Sequence, residues 1–456
     1  MRTERRLALL LAVLLSGCSL SPKPDLVQLY ARVAQRPKPH PLVLVPGIMG
    51  SRLQRAETGL EVWPGSIWNL MHGHDYSELA LPLTGAGAIP GGPVPQDLVA
   101  GGVFHEIAGA DFYGEIVRTL TSAGHYTCVP LQEVNATTDC VLFAWDWRRG
   151  IVAGAAELDR LVDRLRLLRK DPALRVDIVA HSAGGLVARY FARFGGAPLP
   201  DRTEPEITFA GGTKVRQLVL IGTPNYGSIT ALQKAIMGDR IGFAYLRPET
   251  VATMPGMFDL LPHPERTWMI DIQGRRLEIS VHDAQIWRRY RWSIWDPQVR
   301  ARIRAGFRDR AAADAYLAAF ERHFERELRR SARLHHALGT PIDHPPNKYV
   351  VFGSGCFPTP ARCLLEEIDG ETYVRLHPRD IARPIPGIAY DELMIEPGDG
   401  SVTKASLLAR DSLEPDAGRG DFPIAWSVFV CERHTRLPGN ATFRDNLLNT
   451  VLYGAP

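Results

Sequence analysis

The sequence predicts an α/β fold in which helices cover both faces of a mostly parallel β-sheet. Short, nearly continuous apolar runs rich in Val, Ile and Leu are typical of strands buried on both faces. These runs are residues 41–47, 141–145, 176–180, 215–222, 348–353 and 426–431. Helical patterns lie between them, as over residues 155–171, and a closing helix is predicted over 443–453. Strands that alternate with helices favour a parallel sheet.

The length and composition suit one large domain with insertions. The chain has 456 residues, of which 45% are hydrophobic, so it can bury a large core. We predict one α/β domain over residues 41–456, with a lid-like insertion at about 51–105 and a cap insertion at about 228–345. The net charge of +3 is small and no nucleic-acid-binding motif is present, so we expect no nucleic-acid partner.

The first residues are typical of an exported protein. Arginines precede an apolar run over residues 7–15, which is too short to span a bilayer. Residues 15–18 then resemble the bacterial lipobox, whose cysteine is lipidated and becomes the mature N-terminus. We therefore predict a lipoprotein signal peptide over residues 1–18, with lipidation at Cys18, and an ordinary cleaved signal is the alternative.

The segment that follows predicts where the protein resides. Residues 19–40 have prolines near both ends and are predicted to be a tether. Ser19 directly after the lipobox cysteine favours the outer membrane, by analogy with the sorting of Gram-negative lipoproteins. We expect a lipid-anchored protein of the bacterial cell envelope that contacts the membrane surface through its anchor.

The other cysteines are expected to form disulfides, because an exported chain meets an oxidising compartment. Close spacing in the sequence suggests the pairs Cys128–Cys140 and Cys356–Cys363. Cys431 is then left over, and no spacing is typical of a zinc site. We accordingly expect no metal centre.

A turn of small residues around Ser182 joins a predicted strand to a predicted helix. The segment AHSAGG resembles the G-x-S-x-G nucleophile elbow, with Ala180 in place of the first glycine. Small residues are needed there because the turn is sharp and neighbouring backbone comes close. Such a turn holds the hydroxyl above the sheet, so we predict that Ser182 is a nucleophile. An ordinary strand-to-helix turn is the alternative.

A serine nucleophile needs a base, and the base needs an orienting carboxylate. In α/β-hydrolases these follow the serine in the order acid, then histidine. Asp399 lies in a glycine-bracketed turn, and His434 lies on the loop between the last predicted strand and the closing helix. We predict that both complete a catalytic triad. Weaker alternatives, which lack such a turn or lie outside the expected loops, are Asp391, Asp421 and His344.

Two backbone N–H groups are predicted to form an oxyanion hole. The residue after the nucleophile, Ala183, is expected to supply one of them. The loop after the first strand is expected to supply the other, because Gly47 and Gly50 let the backbone approach closely. Ile48 is the predicted donor in that loop, and Met49 is the less favoured choice.

Taken together, these motifs resemble the lecithin:cholesterol acyltransferase family. "LVLVPGIMGSRL" resembles the opening strand and oxyanion loop of that family, and "FAWDWR" resembles its Tyr-Asp-Trp-Arg segment. "AHSAGG" matches its serine motif, "LIGTPNYGS" the strand and loop that follow, and "FGSGCFPTP" its Tyr-Gly-x-Gly-x-Pro-Thr-Pro segment. "GDGSV" corresponds to its aspartate motif, and His434 stands where its catalytic histidine is expected. The matches run in the same order from the first predicted strand to the C-terminus.

The resemblance implies an α/β-hydrolase fold and a serine-dependent hydrolase or O-acyltransferase of lipid acyl esters, with glycerophospholipids as the expected substrates. It implies an acyl-serine on Ser182, His434 as general base and acid, and Asp399 as its orienting group, without a metal or organic cofactor. The enzymatic alternative is a carboxylesterase or triacylglycerol lipase with the same triad. The other alternative is a non-catalytic envelope lipoprotein, which a complete Ser–Asp–His set disfavours.

The sequence also departs from the family. Mammalian members have a small disulfide-closed lid soon after the first strand, whereas residues 50–75 contain no cysteine here. Trp63 and Trp68 are candidates for an apolar lid face, and packing in the core is the equal alternative. The resemblance implies that Asp146 and Arg148 brace the site, with a purely structural ion pair as the alternative.

Overall fold

The computed structural model describes residues 24–66, 68, 73–83, 97–107, 110–202, 205–241, 243–410 and 420–454, so the predicted signal peptide and Cys18 lie outside the described residues. Within these ranges, seven strands form the main sheet. They are β1 (Leu42–Val45), β2 (Cys128–Pro130), β3 (Cys140–Leu142), β4 (Val176–His181), β5 (Val215–Ile221), β6 (Lys348–Gly353) and β7 (Trp426–Phe429). Their spatial order is β7-β6-β5-β4-β1-β3-β2. Each neighbouring pair is parallel, which confirms the predicted fold class.

The edge strand β2 has no counterpart among the predicted runs. It is three residues long and ends in Pro130. A proline that cannot donate to a neighbouring strand suits an edge. The other six strands of the main sheet correspond to the predicted runs within a few residues.

The helices that frame the sheet are α1 (Leu26–Ala34), α2 (Ile151–Arg169), α3 (Ala183–Phe194), α4 (Arg310–Gly339) and α5 (Ala441–Tyr453). The shorter α-helices are Gly114–Arg118, Ile229–Met237, Pro248–Val251, Pro255–Phe258, Ala284–Arg289, Pro297–Ala305, Tyr390–Met394 and Lys404–Leu407. The 3₁₀-helical segments are Ser77–Leu79, Leu131–Glu133, Trp147–Arg149, Gly212–Lys214, Ser293–Trp295, Pro378–Asp380 and His434–Gly439, and Thr119–Ala123 is π-helical.

Alternation along the strands divides the core into two layers. Ile178 and its neighbours on one face of β4 pack with α2 and α3, while Val179 on the other face packs with α5. The central strands are buried on both faces, which explains their continuous apolar sequences. The predicted helices over 155–171 and 443–453 correspond to α2 and α5.

Smaller strands lie in the regions predicted as insertions. In residues 51–105 the strands Ser51–Arg55, Glu61–Trp63 and Leu98–Val103 form an antiparallel sheet. The other short strands are Glu106–Ile107, Ala110–Asp111, Asp239–Ile241, Ala244–Leu246, Met269–Ile270, Arg276–Leu277, Phe357–Pro360, Cys363–Ile368, Glu371–Arg375 and Ile395–Gly398. Residues 228–345 are mainly helical, and α4 is the longest helix in the described part of the chain. The roles of lid and cap stay predictions.

Part of the predicted tether is a docked helix. Asp25 caps the N-terminus of α1 by accepting the N–H groups of Val27 and Gln28. Tyr30 packs against Leu448 of α5, and its hydroxyl donates to Asp445 at 2.8 Å. The prolines at the two ends of 19–40 suggested an extended segment, but the apolar stripe between them binds the domain.

One predicted disulfide is present and the other is wrong. Cys128 and Cys140 are bonded, with Cα atoms 4.3 Å apart across β2 and β3. Cys356 is bonded to Cys431 rather than to Cys363, which is buried and free. Cys356 and Cys431 leave the ends of β6 and β7, which are neighbours in the sheet, so their Cα atoms lie 5.3 Å apart.

Within the described residues, no helix is both long enough and apolar enough to cross a membrane.

Candidate active site

Ser182 lies on the sharp turn between β4 and α3. Its φ of 54° and ψ of −128° are values that residues with a side chain rarely adopt. Its N–H donates to the carbonyl of Ile221 in the neighbouring strand at 2.8 Å, which holds the turn against the sheet. The serine therefore has the strained backbone that a nucleophile elbow requires.

Ser182, His434 and Asp399 meet at this turn. His434 Nε2 lies 3.1 Å from Ser182 Oγ, and His434 Nδ1 lies 2.7 Å from Asp399 Oδ2. His434 begins the 3₁₀ turn after β7, and Asp399 directly follows the strand Ile395–Gly398. The structure thus brings together the three side chains predicted to form the triad, in the order of bonds that a triad needs.

Asp399 is held in its ionised form. Its burial favours a higher pKa, but the pairing with His434 outweighs burial and lowers the pKa. The backbone N–H groups of Val402 and Ser401 contribute by donating to Asp399 Oδ1 at 2.7 and 2.9 Å. An ionised carboxylate on Nδ1 fixes the histidine tautomer and leaves Nε2 free to accept the serine proton.

Glycines allow the backbone to approach the triad. A Cβ on Gly47 would lie 2.8 Å from Ser182 Cβ. Gly222 follows β5 with a φ of +55°, and a Cβ there would lie 3.0 Å from His434 Nδ1 and 3.2 Å from Asp399 Oδ2. The sequence analysis did not single out Gly222. Its place directly after a predicted buried strand is the signal that could have marked it.

The loop at 47–50 and the start of α3 flank Ser182 on two sides. Ala183 is the first residue of α3, so its N–H has no acceptor within the helix. Ile48 follows Gly47 in a turn closed by the Gly50 N–H, which donates to the Gly47 carbonyl at 3.0 Å. Ala183 thus directly follows the serine, and Ile48 directly follows Gly47, which packs closely against the serine; the role of both residues as oxyanion donors stays a prediction.

His181 and Tyr113 are buried next to the triad, and the sequence analysis did not select either. His181 Nε2 lies 3.3 Å from the carbonyl oxygen of His434, and His181 Nδ1 lies 2.9 Å from the Tyr113 hydroxyl. Burial, and then the neighbouring His434, lower the pKa of His181 to about 3. His181 had a signal, its place before the nucleophile, whereas no local pattern marks Tyr113.

Asp146 and Arg148 form a buried pair at some distance along the chain from the triad. Arg148 Nε and Nη2 donate to the two carboxylate oxygens of Asp146 at 2.9 and 2.7 Å. Arg148 Nη1 also donates to the carbonyl of Leu79 at 3.3 Å. The pair therefore ties residues 51–105 to the main domain, and its predicted role in bracing the site stays a prediction.

Trp63 and Trp68 have different surroundings. Trp63 is buried against Tyr76 and Trp147, with ring centroids 5.1 and 5.8 Å away, and its Nε1–H donates to the Met49 carbonyl at 2.9 Å. Trp68 is 64% exposed. Trp63 thus packs in the core, and only Trp68 keeps the position that a lid face requires.

In the part of the chain that the structure describes, no group of three or more His, Cys, Asp and Glu side chains is arranged to hold a metal ion.

Fold and site together define an α/β-hydrolase, with a serine on the turn after the central strand and a histidine–aspartate pair from later loops. The sequence matches the family model of lecithin:cholesterol acyltransferase over residues 131–409. The match covers more than half of the chain, so the chain belongs to this family and is a lipid-acting hydrolase or acyltransferase.

The chain is also similar to solved structures. The crystal structure of the Tle4-Tli4 complex aligns with a TM-score of 0.52 and 16% identity, over 91% of this chain and 98% of that chain, a likeness that shows the fold. Bacillus licheniformis lipase BlEst2 in mature form aligns with a TM-score of 0.29 and 10% identity, over 92% of each chain. EstA from Clostridium botulinum aligns with a TM-score of 0.30 and 14% identity, over 93% of this chain and 90% of that chain. No curated protein matches in sequence.

Proposed function

We propose that the protein is a serine-dependent hydrolase or O-acyltransferase of glycerophospholipid acyl esters, which forms an acyl intermediate on Ser182. One observation carries the proposal. Ser182, on the strained turn that follows the central strand, has its hydroxyl 3.1 Å from the His434 imidazole, and that imidazole lies 2.7 Å from the Asp399 carboxylate. Family membership supports a lipid ester as the substrate.

In the acylation step, Ser182 Oγ attacks the ester carbonyl carbon while His434 Nε2 takes the hydroxyl proton. Asp399 accepts the Nδ1–H and stabilises the imidazolium that forms. The N–H groups of Ile48 and Ala183 stabilise the oxyanion of the tetrahedral intermediate. When the C–O bond breaks, His434 returns its proton to the departing alcohol, which is a lysophospholipid if the substrate is a phospholipid.

Deacylation repeats the same steps with a different nucleophile. His434 Nε2 removes a proton from water or from an acceptor alcohol, whose oxygen attacks the acyl-serine. Water releases a free fatty acid, and an alcohol gives a new ester. The choice of acceptor decides between hydrolase and acyltransferase.

We also propose that the protein works from the bacterial envelope, anchored through Cys18 to the outer membrane. The lipobox-like residues 15–18 support the anchor. Residues 51–105 and 228–345 are the proposed lid and cap, and the exposure of Trp68 agrees with a lid face. An anchored enzyme would meet its lipid substrate at the membrane surface.

A fluorophosphonate probe tests the nucleophile. We expect it to label the wild type and not Ser182→Ala. Ser331 is a suitable control, because it is a buried serine of α4 whose hydroxyl donates to the Phe258 carbonyl at 2.6 Å, outside the site. Ser331→Ala should keep the label. An unlabelled wild type would favour the non-catalytic lipoprotein, and a label that persists in Ser182→Ala would reject the proposed nucleophile.

A lipid assay tests the substrate. The wild type is incubated with phospholipid vesicles, with and without a sterol or another alcohol, and the products are separated. Free fatty acid is expected from a phospholipase, and a new ester identifies an acyltransferase. Rapid turnover of short water-soluble esters without any action on phospholipid would instead support the carboxylesterase alternative, and a preference for triacylglycerol would support the lipase alternative.

A further inference from the structure

Three hydrogen bonds connect the loop after β1 to the backbone of His434. The N–H of Gly47 donates to the Tyr113 oxygen at 2.8 Å. The Tyr113 oxygen lies 2.9 Å from His181 Nδ1, and His181 Nε2 lies 3.3 Å from the carbonyl oxygen of His434. We call Tyr113 and His181 the linking pair. The proposed reaction involves no atom of either residue, although both are buried at the site.

The direction of each bond follows from the chemistry of the groups. A carbonyl oxygen can only accept, so His181 Nε2 must carry a proton. A neutral imidazole has one N–H, so His181 Nδ1 is an acceptor and the Tyr113 O–H donates to it. The pKa of about 3 keeps His181 neutral at physiological pH. The bonds therefore run in one direction, from Gly47 through Tyr113 and His181 to His434.

These bonds complete the support of His434. Its ring is held between Asp399 and Ser182, and its backbone N–H donates to the Asp399 carbonyl at 3.0 Å. The hydrogen bond from His181 Nε2 holds the backbone carbonyl of the same residue, His434. The rings of His181 and His434 are also in contact, with centroids 4.9 Å apart. A neutral ring in this place adds no second positive charge when His434 becomes an imidazolium.

We propose that Tyr113 and His181 are positioning residues, which fix the base against the nucleophile and tie that geometry to the oxyanion loop. The proposal rests on the proposed function of the triad. The link begins at Gly47, next to the predicted oxyanion donor Ile48, and ends at the histidine that moves the proton. A displacement of about 1 Å in such a site can lower the rate roughly 100-fold.

Variants of the linking pair test the proposal. His181→Phe removes the donor to His434 and the acceptor for Tyr113, and Tyr113→Phe removes the hydroxyl that joins Gly47 to His181. We expect each to lower kcat on a soluble short-chain ester, and the rate of fluorophosphonate labelling, by about 10- to 100-fold with KM nearly unchanged. His181→Gln keeps an amide donor for the His434 carbonyl and should recover part of the rate.

His282 supplies a matched control. It is a half-buried histidine of the cap region, and its two nitrogens lie 3.2 and 2.9 Å from the carbonyls of Leu328 and Pro262. His282→Gln should lower Tm without changing the labelling rate. If His181 had only a structural role, its variants would likewise lower Tm and leave the labelling rate unchanged. A fall in the labelling rate that is larger than the fall in Tm explains therefore indicates a positioning role.

The proposal is overturned if His181→Phe or Tyr113→Phe folds, labels at the wild-type rate and keeps the wild-type kcat. It is also overturned if His181→Gln is as slow as His181→Phe at equal Tm. If His181→Phe does not fold, the test is made with Tyr113→Phe, which removes only the hydroxyl group. Failure of the proposed function is separate, because it is seen when the wild type itself is not labelled or when Ser182→Ala still is.

Discussion

Buried and half-buried histidines lie in contact in two regions of the molecule. At the carboxyl end of the sheet, His181 and His434 have ring centroids 4.9 Å apart. Between α4 and the residues that follow Phe258, the ring centroids of neighbouring histidines are 5.5, 6.1 and 5.7 Å apart. This second group, which we call the cap cluster, consists of His263, His282, His335 and His336.

The two groups differ in what surrounds the imidazoles. His434 has a buried, ionised carboxylate on one nitrogen and a hydroxyl on the other. In the cap cluster, burial and then Arg266 lower the pKa of His263 to about 3. His336 faces Glu265 at 3.2 Å, but that carboxylate is exposed and screened by solvent. In the proposed mechanism it is the buried carboxylate partner that makes His434 a base, and contact between imidazoles alone would not be sufficient.

The largest effect is expected from removing that carboxylate. Asp399→Asn keeps the shape of the side chain but no longer stabilises the imidazolium, so kcat on a soluble ester should fall by about 10⁴-fold. Glu265→Gln removes the carboxylate that faces His336 and should leave kcat unchanged. Steady-state kinetics of the two variants measure the contrast. A loss of less than tenfold for Asp399→Asn would show that Asp399 does not orient the base.

A smaller effect is expected from crowding the same pair. Gly222→Ala places a Cβ 3.0 Å from His434 Nδ1 and adds the backbone cost of a non-glycine residue at positive φ. We expect kcat to fall about 10- to 100-fold and the free energy of unfolding to fall by about 1–2 kcal/mol. Kinetics and urea unfolding measure the two quantities.

Gly387 provides the control for the backbone cost. Its φ is +89°, and a Cβ there meets no atom within 4 Å. Gly387→Ala should therefore lower the free energy of unfolding only by the cost of placing an alanine at positive φ, and its kcat should equal that of the wild type. Equal activity of the Gly222→Ala and Gly387→Ala variants would contradict the tight packing of the triad described above.

The sequence predicted those parts of the site that depend on local pattern and chain order. Ser182 is marked by small residues between an apolar strand and a helix, and all of this lies within a few positions. Asp399 and His434 were found because the acid and then the histidine follow the serine in α/β-hydrolases, and because one lies in a glycine-bracketed turn and the other on the loop after the last strand. The fold class followed from the alternation of strands with helices, whereas the spatial order of the strands was not predicted.

The parts that the sequence did not predict depend on contacts between distant residues. Spacing favoured Cys363 as the partner of Cys356, yet the adjacency of β6 and β7 brings Cys431 closer. Tyr113 contacts Gly47 across 66 positions, and nothing near Tyr113 in the sequence marks it as part of the site. The sequence analysis considered only the prolines at the two ends of the predicted tether and therefore missed the docked helix α1, which packs against α5 at the other end of the chain.

The last prediction concerns stability rather than activity, and it compares one histidine from each region. In the folded protein the pKa of His181 and that of His263 are both about 3, against 6.5 for an ordinary histidine. The unfolded chain therefore binds a proton that the folded chain excludes. Each of these histidines therefore contributes to the free energy of unfolding. That contribution is fully present above pH 6.5 and is lost as the pH falls toward 3, by about 1.4 kcal/mol per pH unit.

Urea unfolding of the wild type between about pH 6 and 4 should show this loss, and His181→Gln and His263→Gln should each make the pH dependence shallower by a similar amount. Only His181→Gln should also change the labelling rate, because His181 contacts His434 whereas His263 lies against Tyr226 and the other cap histidines. If His263→Gln leaves the slope unchanged, His263 is not held neutral by burial. If it slows labelling as much as His181→Gln, the cap cluster is coupled to the base, and the separation drawn between the two regions is wrong.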